Sequence, residues 1–405
     1  MARGEKARLL LCATAPVIER DGKLLLDKKF VEGMRLHCQM WPGPVTCILR
    51  RGAEHIPFGG QYERRDLGFD ITLLESEEPI GERALTGVDV VLCAGDAHDV
   101  LHLADLGRRL GIKVIYTIEY TLETRLRIAA MDKGRSLARR VYSMLWNIRH
   151  EYRRRRAFRL ADGIQANGYP AMAAYGRLNR NSIMYLDNRL KRDMYATAQE
   201  MKQKAARLRT GGPLRIIHSG RLERMKGAHD LIPTATALRD RGVDFTLDIY
   251  GDGSLREEIA QGIRNNNLGQ VRLHGPVDFE TELVPINRTE ADIFLSCHRQ
   301  SDPSCTYIEC LGCGLPVAGY DNAMWSALLA ESGGGWAVPM GRAGALAEKI
   351  AQLATHRDEI TRCAEAGLRF ARQHDFVAEF ARRMDHARSA LEEPVRWPAA
   401  ATVPA

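Results

Sequence analysis

Two cations lie five residues apart in the segment 219–227, which reads Ser-Gly-Arg-Leu-Glu-Arg-Met-Lys-Gly and follows a strand-like run. A helix-like run begins directly after this segment. Glycine lets a backbone approach a ligand closely, and the first N–H groups of a helix are free to bind an anion. Arg221 and Lys226 would add positive charge beside Gly220. The segment therefore predicts a diphosphate site, and a solvated basic loop is the alternative.

A second segment that could bind a ligand begins after Asp302. Pro303 and Ser304 mark the start of a short helix, so the amides of Cys305 and Thr306 would be free to bind an anion. Further along the same helix, Glu309 is an acidic residue among apolar ones. An ionised carboxylate in such surroundings needs a partner, and a ribose diol is one candidate. A salt-bridged or surface position is the alternative.

The elements that must position these residues alternate between strand-like and helix-like runs. This alternation predicts parallel sheets covered by helices on both faces, in two doubly wound Rossmann-like domains that face across a cleft. The predicted strands are 7–13, 45–49, 88–93, 113–117, 163–166, 182–186, 214–218, 245–250, 271–274, 292–296, 315–318 and 336–338. The polar stretch 196–212 is interpreted as a linker because it ends in Gly-Gly-Pro.

Composition limits the class of protein. The 405 residues suit two α/β domains, and their formal charge of +7 is compatible with anionic partners. Nine scattered cysteines predict free thiols in a reducing compartment, and Cys310 and Cys313 have no second close pair with which to form a zinc site. The chain contains no apolar run of the ~20 residues that cross a bilayer. Its apolar start is interpreted as a strand, not a signal peptide.

Residues 214–340 resemble the donor domain of the family 4 glycosyltransferases, which have the GT-B fold. The resemblance is carried by motifs in the family's order and separations, at 219–227, 250–253, 271–275, 291–296 and 309–318. It implies that Arg221 and Lys226 hold the diphosphate of a nucleotide sugar and that Glu309 holds its ribose. The predicted nucleotide-binding set is Gly220, Arg221, Lys226, Gly251, Ser304, Cys305, Thr306 and Glu309. The resemblance also implies retention of anomeric configuration and no essential divalent metal.

With this resemblance the chain divides into an acceptor-side domain at 1–205, a donor domain at 206–374 and a flexible tail at 393–405. A C-terminal helix at about 375–392 is expected to pack back onto the first domain.

The sequence departs from the family at two places. Eight residues before Glu309 the family usually has a second Glu that faces the donor sugar, whereas this chain has Ser301. Either Asp302 substitutes for it, or the amides and hydroxyls of residues 304–306 contact the sugar. In the first half the family's histidines are out of register, and its glycine-rich loop is replaced by 19–24, which keeps one glycine. We predict that Asp96, His98 and Glu119 face the cleft and orient the acceptor hydroxyl or the donor sugar.

A basic helix is predicted at 133–159, with an apolar stripe opposite several cations and aromatic rings. The stripe comprises Leu137, Val141, Met144, Leu145, Ile148 and Tyr152. The stripe could pack on the chain's own sheet and leave a solvated basic face. Alternatively, the helix could dock on an anionic membrane surface. No nucleic-acid motif accompanies the charge, so a nucleic-acid partner is not expected.

The leading hypothesis is transfer of a hexose from a UDP- or GDP-sugar to a glycan or a polyprenyl-diphosphate-linked acceptor, without a cofactor. It places the protein in exopolysaccharide or cell-surface glycan biosynthesis, in the cytoplasm or at the inner face of the plasma membrane. Two alternatives stay open. One is a GT-B sugar-nucleotide epimerase, and the other is a non-catalytic glycosyltransferase-like subunit, which the missing Glu and the shifted histidines would fit.

Overall fold

The computed structural model describes residues 7–52, 55–56, 59–132, 134–301 and 303–392. Within these ranges the chain forms a nine-stranded sheet and a six-stranded sheet. The first contains β1 (Leu9–Arg20), β2 (Lys23–Asp27), β3 (Val45–Arg50), β4 (Gly59–Glu63), β5 (Asp70–Leu74), β6 (Val90–Ala94), β7 (Lys113–Ile118), β8 (Gly163–Asn167) and β9 (Ser182–Tyr185). Its parallel strands lie in the order β5-β3-β1-β6-β7-β8-β9. The chain winds outward in one direction from β1 through β3 to β5 and in the other from β6 to β9, so the switch point lies between β1 and β6.

The first strand runs well past its predicted end at residue 13. It continues to Arg20, and Asp21 and Gly22 then reverse the chain with φ angles of 49° and 75°. Two positive φ values in succession are what a tight Asp-Gly hairpin turn requires. β2 returns antiparallel to β1 and pairs with β4. The segment 19–24, expected to replace a glycine-rich loop, is therefore the tip of a hairpin.

Helices cover both faces of the first sheet. They are α1 (Lys28–Met40), α2 (Leu103–Leu110), α3 (Leu122–Met131), α4 (Leu137–Leu160) and α5 (Gly168–Tyr175). The last helix of the described chain, α14 (Phe376–Glu392), also packs here, since Met384, Ala387 and Ala390 share one apolar core with Leu9 and Val90. The tail from 393 lies outside the described residues.

The second sheet is entirely parallel in the described chain. It contains β10 (Leu214–Ser219), β11 (Phe245–Tyr250), β12 (Val271–Leu273), β13 (Ile293–Ser296), β14 (Val317–Tyr320) and β15 (Gly335–Val338), in the order β12-β11-β10-β13-β14-β15. Its helices are α6 (Ala198–Thr210), α7 (Leu231–Asp240), α8 (Arg256–Asn265), α9 (Val284–Thr289), α10 (Cys305–Gly312), α11 (Ala323–Ser332), α12 (Ala343–Thr355) and α13 (Arg357–Ala371). The direction of winding reverses between β10 and β13, the type of position at which doubly wound sheets bind ligands.

The prediction that 196–212 is a linker is wrong, because most of this stretch forms α6. Thr197 caps this helix by accepting the N–H of Glu200, whose carboxylate in turn accepts the N–H of Thr197. Lys204 is buried and donates to the carbonyls of Asn287 (3.3 Å) and Gly314 (2.8 Å). The helix thus packs beside the second sheet. The predicted boundary between 205 and 206 falls inside α6, and the division into 1–205 and 206–374 stays a prediction.

The basic helix is observed as α4, but its apolar stripe does not pack on the sheet. Leu137, Val141, Leu145, Ile148 and Tyr152 are 47–72% exposed. The buried side of the helix is instead formed by Glu151, Arg154, Ala157 and Phe158. The interpretation that the stripe packs inward is therefore wrong. Lys133 lies outside the described residues.

None of the helices in the described ranges is both long enough and apolar enough to cross a membrane.

Arg154 is 1% exposed and joins α4 to two loops of the first sheet. Its guanidinium donates to the carboxylates of Asp96 (2.8 Å) and Glu151 (3.1 Å) and to the carbonyls of Gly95 (3.2 Å) and Tyr120 (3.0 Å). Gly95 and Tyr120 follow β6 and β7, so this side chain fixes both strand ends against the helix.

We expect Arg154→Met to lower the free energy of unfolding by about 3 kcal/mol, because Asp96 loses its ion pair with Arg154 and Glu151 keeps only that with Arg155. Chemical denaturation measures the loss. Arg153→Met is the matched control, since Arg153 is the exposed neighbour on the same helix, and it should change the free energy by no more than about 0.5 kcal/mol. Equal effects of the two substitutions would contradict this role of Arg154.

Candidate active site

The loop 219–227 that follows β10 lies against the ends of neighbouring strands. Gly227 is left-handed (φ 71°), and a side chain there would collide with the carbonyl of Cys297, directly after β13. A side chain at Gly251, after β11, would collide with the carbonyl of Gly220. Glycine is required at both positions because the backbones touch. The loops after β10, β11 and β13 therefore form one continuous backbone-lined surface.

The two predicted diphosphate cations stand on this loop. Arg221 is exposed, and no described residue pairs with its guanidinium through a hydrogen bond or an ion pair. Lys226 is half-buried. Arg224, between them, turns away to pair with Glu258 of α8 at 2.9 Å. The loop thus presents the charge of Arg221 without a counter-charge from any residue that the structure describes.

Helix α10 follows the neighbouring strand β13 after the loop 297–304. Ser304 is its N-cap residue, although the hydroxyl makes no capping hydrogen bond. The N–H of Tyr307 donates to the Ser304 carbonyl, whereas those of Cys305 and Thr306 find no acceptor in the part of the chain that the structure describes. Free amides and the helix dipole make this end attractive to an anion. Because the loop 219–227 and α10 follow β10 and β13, they border the same crevice at the switch point.

Glu309 lies one turn into α10, with its side chain 5% exposed. Its carboxylate accepts two hydrogen bonds from Arg189, from Nε at 2.8 Å and from a terminal nitrogen at 3.2 Å. Arg189 comes from the loop after β9, in the other half of the chain, and its guanidinium lies 3.7 Å above the ring of Phe279. The structure thus shows the salt-bridged position that was the alternative for Glu309, and its ribose role stays a prediction. The sequence reasoning missed that Arg189 is the salt-bridge partner.

The position of the family's other Glu is occupied by a structural serine. Ser301 is buried, and its hydroxyl accepts the N–H of Ala323 (3.2 Å) at the start of α11. It therefore supports a helix and supplies no carboxylate. The prediction that Asp302 substitutes for the Glu falls outside the described residues.

The structure brings two of the three predicted acceptor-side residues together. Asp96 accepts the N–H groups of Glu119 (2.7 Å) and Tyr120 (3.2 Å) in addition to Arg154, so it ties the loop after β6 to the loop after β7. Burial raises the pKa of Asp96, although Arg154 opposes the shift. Asp96 is thus a positioning residue in this structure. Whether Glu119 contacts a substrate stays a prediction.

His98 turns toward α4 instead. Its Nε2 lies 2.6 Å from a guanidinium nitrogen of Arg125, and its ring packs on Trp146 and His150 with centroids 4.1 and 4.8 Å away. Burial and the charge of Arg125 lower the pKa of His98 to about 4, so the imidazole is neutral at pH 7. Its predicted catalytic role stays untested, and its observed contacts are with α3 and α4.

A cluster that the sequence did not reveal bridges the two halves beside α10. Lys29 of α1 pairs with Asp187 at 2.8 Å, and the same Asp187 oxygen accepts from the Cys305 thiol at 3.4 Å. Glu119 lies near this cluster, reached by solvent yet surrounded by protein. Burial raises the pKa of Glu119 to about 7; the charges of Asp96 and Asp187 add to the shift and Lys29 opposes it. Only the assembled fold places these residues together, since they are far apart in sequence.

A cavity of about 260 Å³ opens at the switch point of the first sheet, between β1 and β6. Its wall includes Cys12, Ile48, Ile80 and Val100, and the ion pair between Arg50 and Asp99 (2.6 Å) borders it. All nine cysteines are free thiols in the structure, six of them buried and three half-buried. Among the described residues, no group of three or more His, Cys, Asp or Glu side chains could hold a metal ion.

Parts of the sequence are similar to known proteins. Residues 199–370 match the family described as Glycosyl transferases group 1. The glycogen synthase of Mycobacterium tuberculosis is 32% identical over 93 residues, which are 23% of this chain and 22% of that protein. The aligned segment thus spans about a fifth of the curated relatives.

Solved structures resemble nearly the whole chain. The Anabaena protein HepE, solved with UDP, has a TM-score of 0.64 at 13% identity over 95% of this chain and 100% of that one. HepE has also been solved with UDP-glucose. Sucrose-phosphate synthase from Thermosynechococcus elongatus has a TM-score of 0.64 at 15% identity over 96% and 99% of the two chains. The predicted GT-B fold is confirmed.

We expect the carboxyl carbon of Glu119 to titrate near pH 7 in NMR spectra, against about 4.3 for an unperturbed glutamate. The group is then protonated below pH 7 and ionised above it. Lys29→Met should move the midpoint higher, because a nearby positive charge favours the carboxylate. Glu119→Gln identifies the resonance. A midpoint near 4, or one insensitive to Lys29, would contradict the described surroundings.

Proposed function

We propose that this protein is a glycosyltransferase that moves a hexosyl group from a UDP- or GDP-sugar to a glycan or lipid-linked acceptor. The observation that carries the proposal is the crevice between β10 and β13, bordered by the loop with Arg221, which no described residue neutralises, and by the start of α10, where the amides of Cys305 and Thr306 find no acceptor among the described residues. A nucleoside diphosphate has the matching charge. The family match over 199–370 supports glycosyl transfer, and the UDP-glucose complex of HepE favours a uridine nucleotide.

In this proposal the donor half of the site acts on the leaving group. As the bond between the sugar and the diphosphate breaks, negative charge grows on the phosphate oxygens. Arg221, Lys226 and the amides of Cys305 and Thr306 stabilise that charge where it develops. The Glu309 carboxylate accepts hydrogen bonds from the hydroxyls of the ribose. Retention of configuration and independence from a divalent metal are part of the proposal, as the family resemblance implies.

The acceptor half is formed by the first sheet. Its strands end at the cavity between β1 and β6 and at Glu119, whose raised pKa suits a group that exchanges protons near neutral pH. Asp96 holds the loop that carries Glu119. Closure of the two halves around the donor would exclude water and favour transfer over hydrolysis.

The exposed stripe of α4 supports an anionic membrane surface as a further partner. Large apolar side chains stand in solvent along this helix, and the exposed Arg149 and Arg153 lie beside them. An apolar face flanked by cations is suited to the boundary between lipid headgroups and acyl chains. Such a surface would give access to an acceptor carried on a polyprenyl diphosphate. Exopolysaccharide or cell-surface glycan assembly at the inner face of the plasma membrane is the role that fits.

We expect Arg221→Ala and Lys226→Ala each to lower kcat at least tenfold, which corresponds to about 1.4 kcal/mol of lost transition-state stabilisation. Donor turnover by purified protein measures the effect. Arg224→Ala is the matched control, since Arg224 belongs to the same loop but pairs with Glu258. Near-normal turnover of both variants would remove these residues from the site.

The donor is identified by measuring which UDP- or GDP-sugar raises the melting temperature, because a specific ligand stabilises the native state. Transfer or hydrolysis of that donor would exclude a non-catalytic subunit. Formation of free isomers of the sugar nucleotide without any acceptor would favour the epimerase, and absence of binding to every nucleotide would defeat the proposal.

We expect the double variant Val141→Asp/Leu145→Asp to bind anionic phosphatidylglycerol vesicles at least about tenfold more weakly than the wild type, because two apolar anchors are lost. Vesicle co-sedimentation measures the difference. Val377→Asp is the control, since Val377 is a comparably exposed apolar residue on α14. If the wild type did not bind vesicles, or all variants bound equally, α4 would not be a membrane contact.

A further inference from the structure

The pair between Arg189 and Glu309 stands where the proposed function places a ribose. Both carboxylate oxygens of Glu309 are engaged, at 2.8 and 3.2 Å. We infer that Arg189 occupies the ribose position of Glu309 in the nucleotide-free protein and must leave it before a nucleoside diphosphate binds. The inference rests on the proposed function and concerns how its donor site opens.

Arg189 covers the accessible side of the carboxylate. Glu309 sits in a helix whose neighbouring residues Ile308, Cys310 and Leu311 are at most 1% exposed, so ligands cannot approach from the core. The side chain of Arg189 is 39% exposed and reaches Glu309 from outside that helix. A ribose diol that donates to the same two oxygens would have to take the space that the guanidinium now occupies.

The arginine can move without moving its loop. Its neighbours Asn188 and Leu190 are 0% exposed, and Asn188 is tied to the carbonyls of Leu186 and His374. The backbone is therefore fixed, and rotation of side-chain torsions releases the guanidinium. Its departure also frees the face of Phe279, on which it now lies. A carboxylate for the ribose and an aromatic face for the base become available together.

Competition of this kind weakens the apparent affinity for the ligand, because the apparent Kd equals the intrinsic Kd divided by the fraction of molecules in which the site is open. It acts only on ligands that use Glu309. UDP carries both a ribose and a diphosphate, whereas inorganic pyrophosphate carries the charge alone. Arg189 should therefore oppose the binding of UDP and leave the binding of pyrophosphate unchanged. An arginine that instead contacted the phosphates would favour both ligands.

The test is calorimetric titration of Arg189→Met with UDP and with pyrophosphate. Methionine keeps an unbranched apolar stem and removes the guanidinium, both from Glu309 and from the face of Phe279. We expect the Kd for UDP to fall about fivefold and that for pyrophosphate to stay unchanged. Lys191→Met is the matched control, because Lys191 lies in the same loop but pairs with Glu280, and it should alter neither constant.

Two further measurements separate competition from a general structural effect. Without ligand, Arg189→Met should melt at a lower temperature than the wild type, because Glu309 loses its cation, yet gain more from saturating UDP. In a Glu309→Gln background, Arg189→Met should no longer change the Kd for UDP. If Arg189→Met does not fold, Arg189→Lys, which cannot donate in the same bidentate way, should give an intermediate increase in affinity.

Unchanged or weaker UDP binding by the folded Arg189 variants, with the wild type binding UDP normally, would overturn this inference alone. Failure of the wild type to bind any UDP or GDP nucleotide would defeat the proposed function itself.

Discussion

An ionised carboxylate cannot stay inside an apolar helix without a cation, and in this protein that requirement joins the two halves of the chain. Glu309 belongs to a helix of the second sheet, whereas Arg189 follows the last strand of the first. Two other hydrogen bonds also join the two halves, one from Lys29 to the Cys305 thiol and one from Tyr169 to Glu331. These polar pairs lie beside an apolar core in which Leu186 and Leu190 pack with residues of the second sheet.

The reversal of strand order explains why cations collect beside a helix start. Neighbouring loops diverge at that point and leave a crevice, while the backbone contacts at Gly227 and Gly251 hold its floor rigid. Two other arginines near the strand ends are neutralised, Arg224 by Glu258 and Arg299 by Asp230. Arg221 is different, because its side chain is exposed and pairs with none of the described residues. That an external anion uses this charge is part of the proposed function.

The regular part of the fold was predictable because strand and helix periodicities are local properties. The six strands of the second sheet lie close to their predicted positions, and the order of motifs indicated the GT-B fold. The errors have physical causes. Residues 198–210 are polar, yet a capping box and the buried contacts of Lys204 make them helical. Partners distant in sequence, such as Arg189 for Glu309, depend on tertiary structure and leave no local pattern.

Helix α4 shows how far a hydrophobic pattern can mislead, because here the polar side is buried. Arg154 and Glu151 lose their hydration on burial and gain hydrogen bonds within the protein. Those from Arg154 to the carbonyls of Gly95 and Tyr120 fix the loops after β6 and β7. The apolar side is left outside, where a large exposed patch normally marks a surface of interaction. The two sides are one helix diameter apart, about 10 Å. The residues that a surface partner would touch are therefore only one layer removed from Asp96 and the loop that carries Glu119.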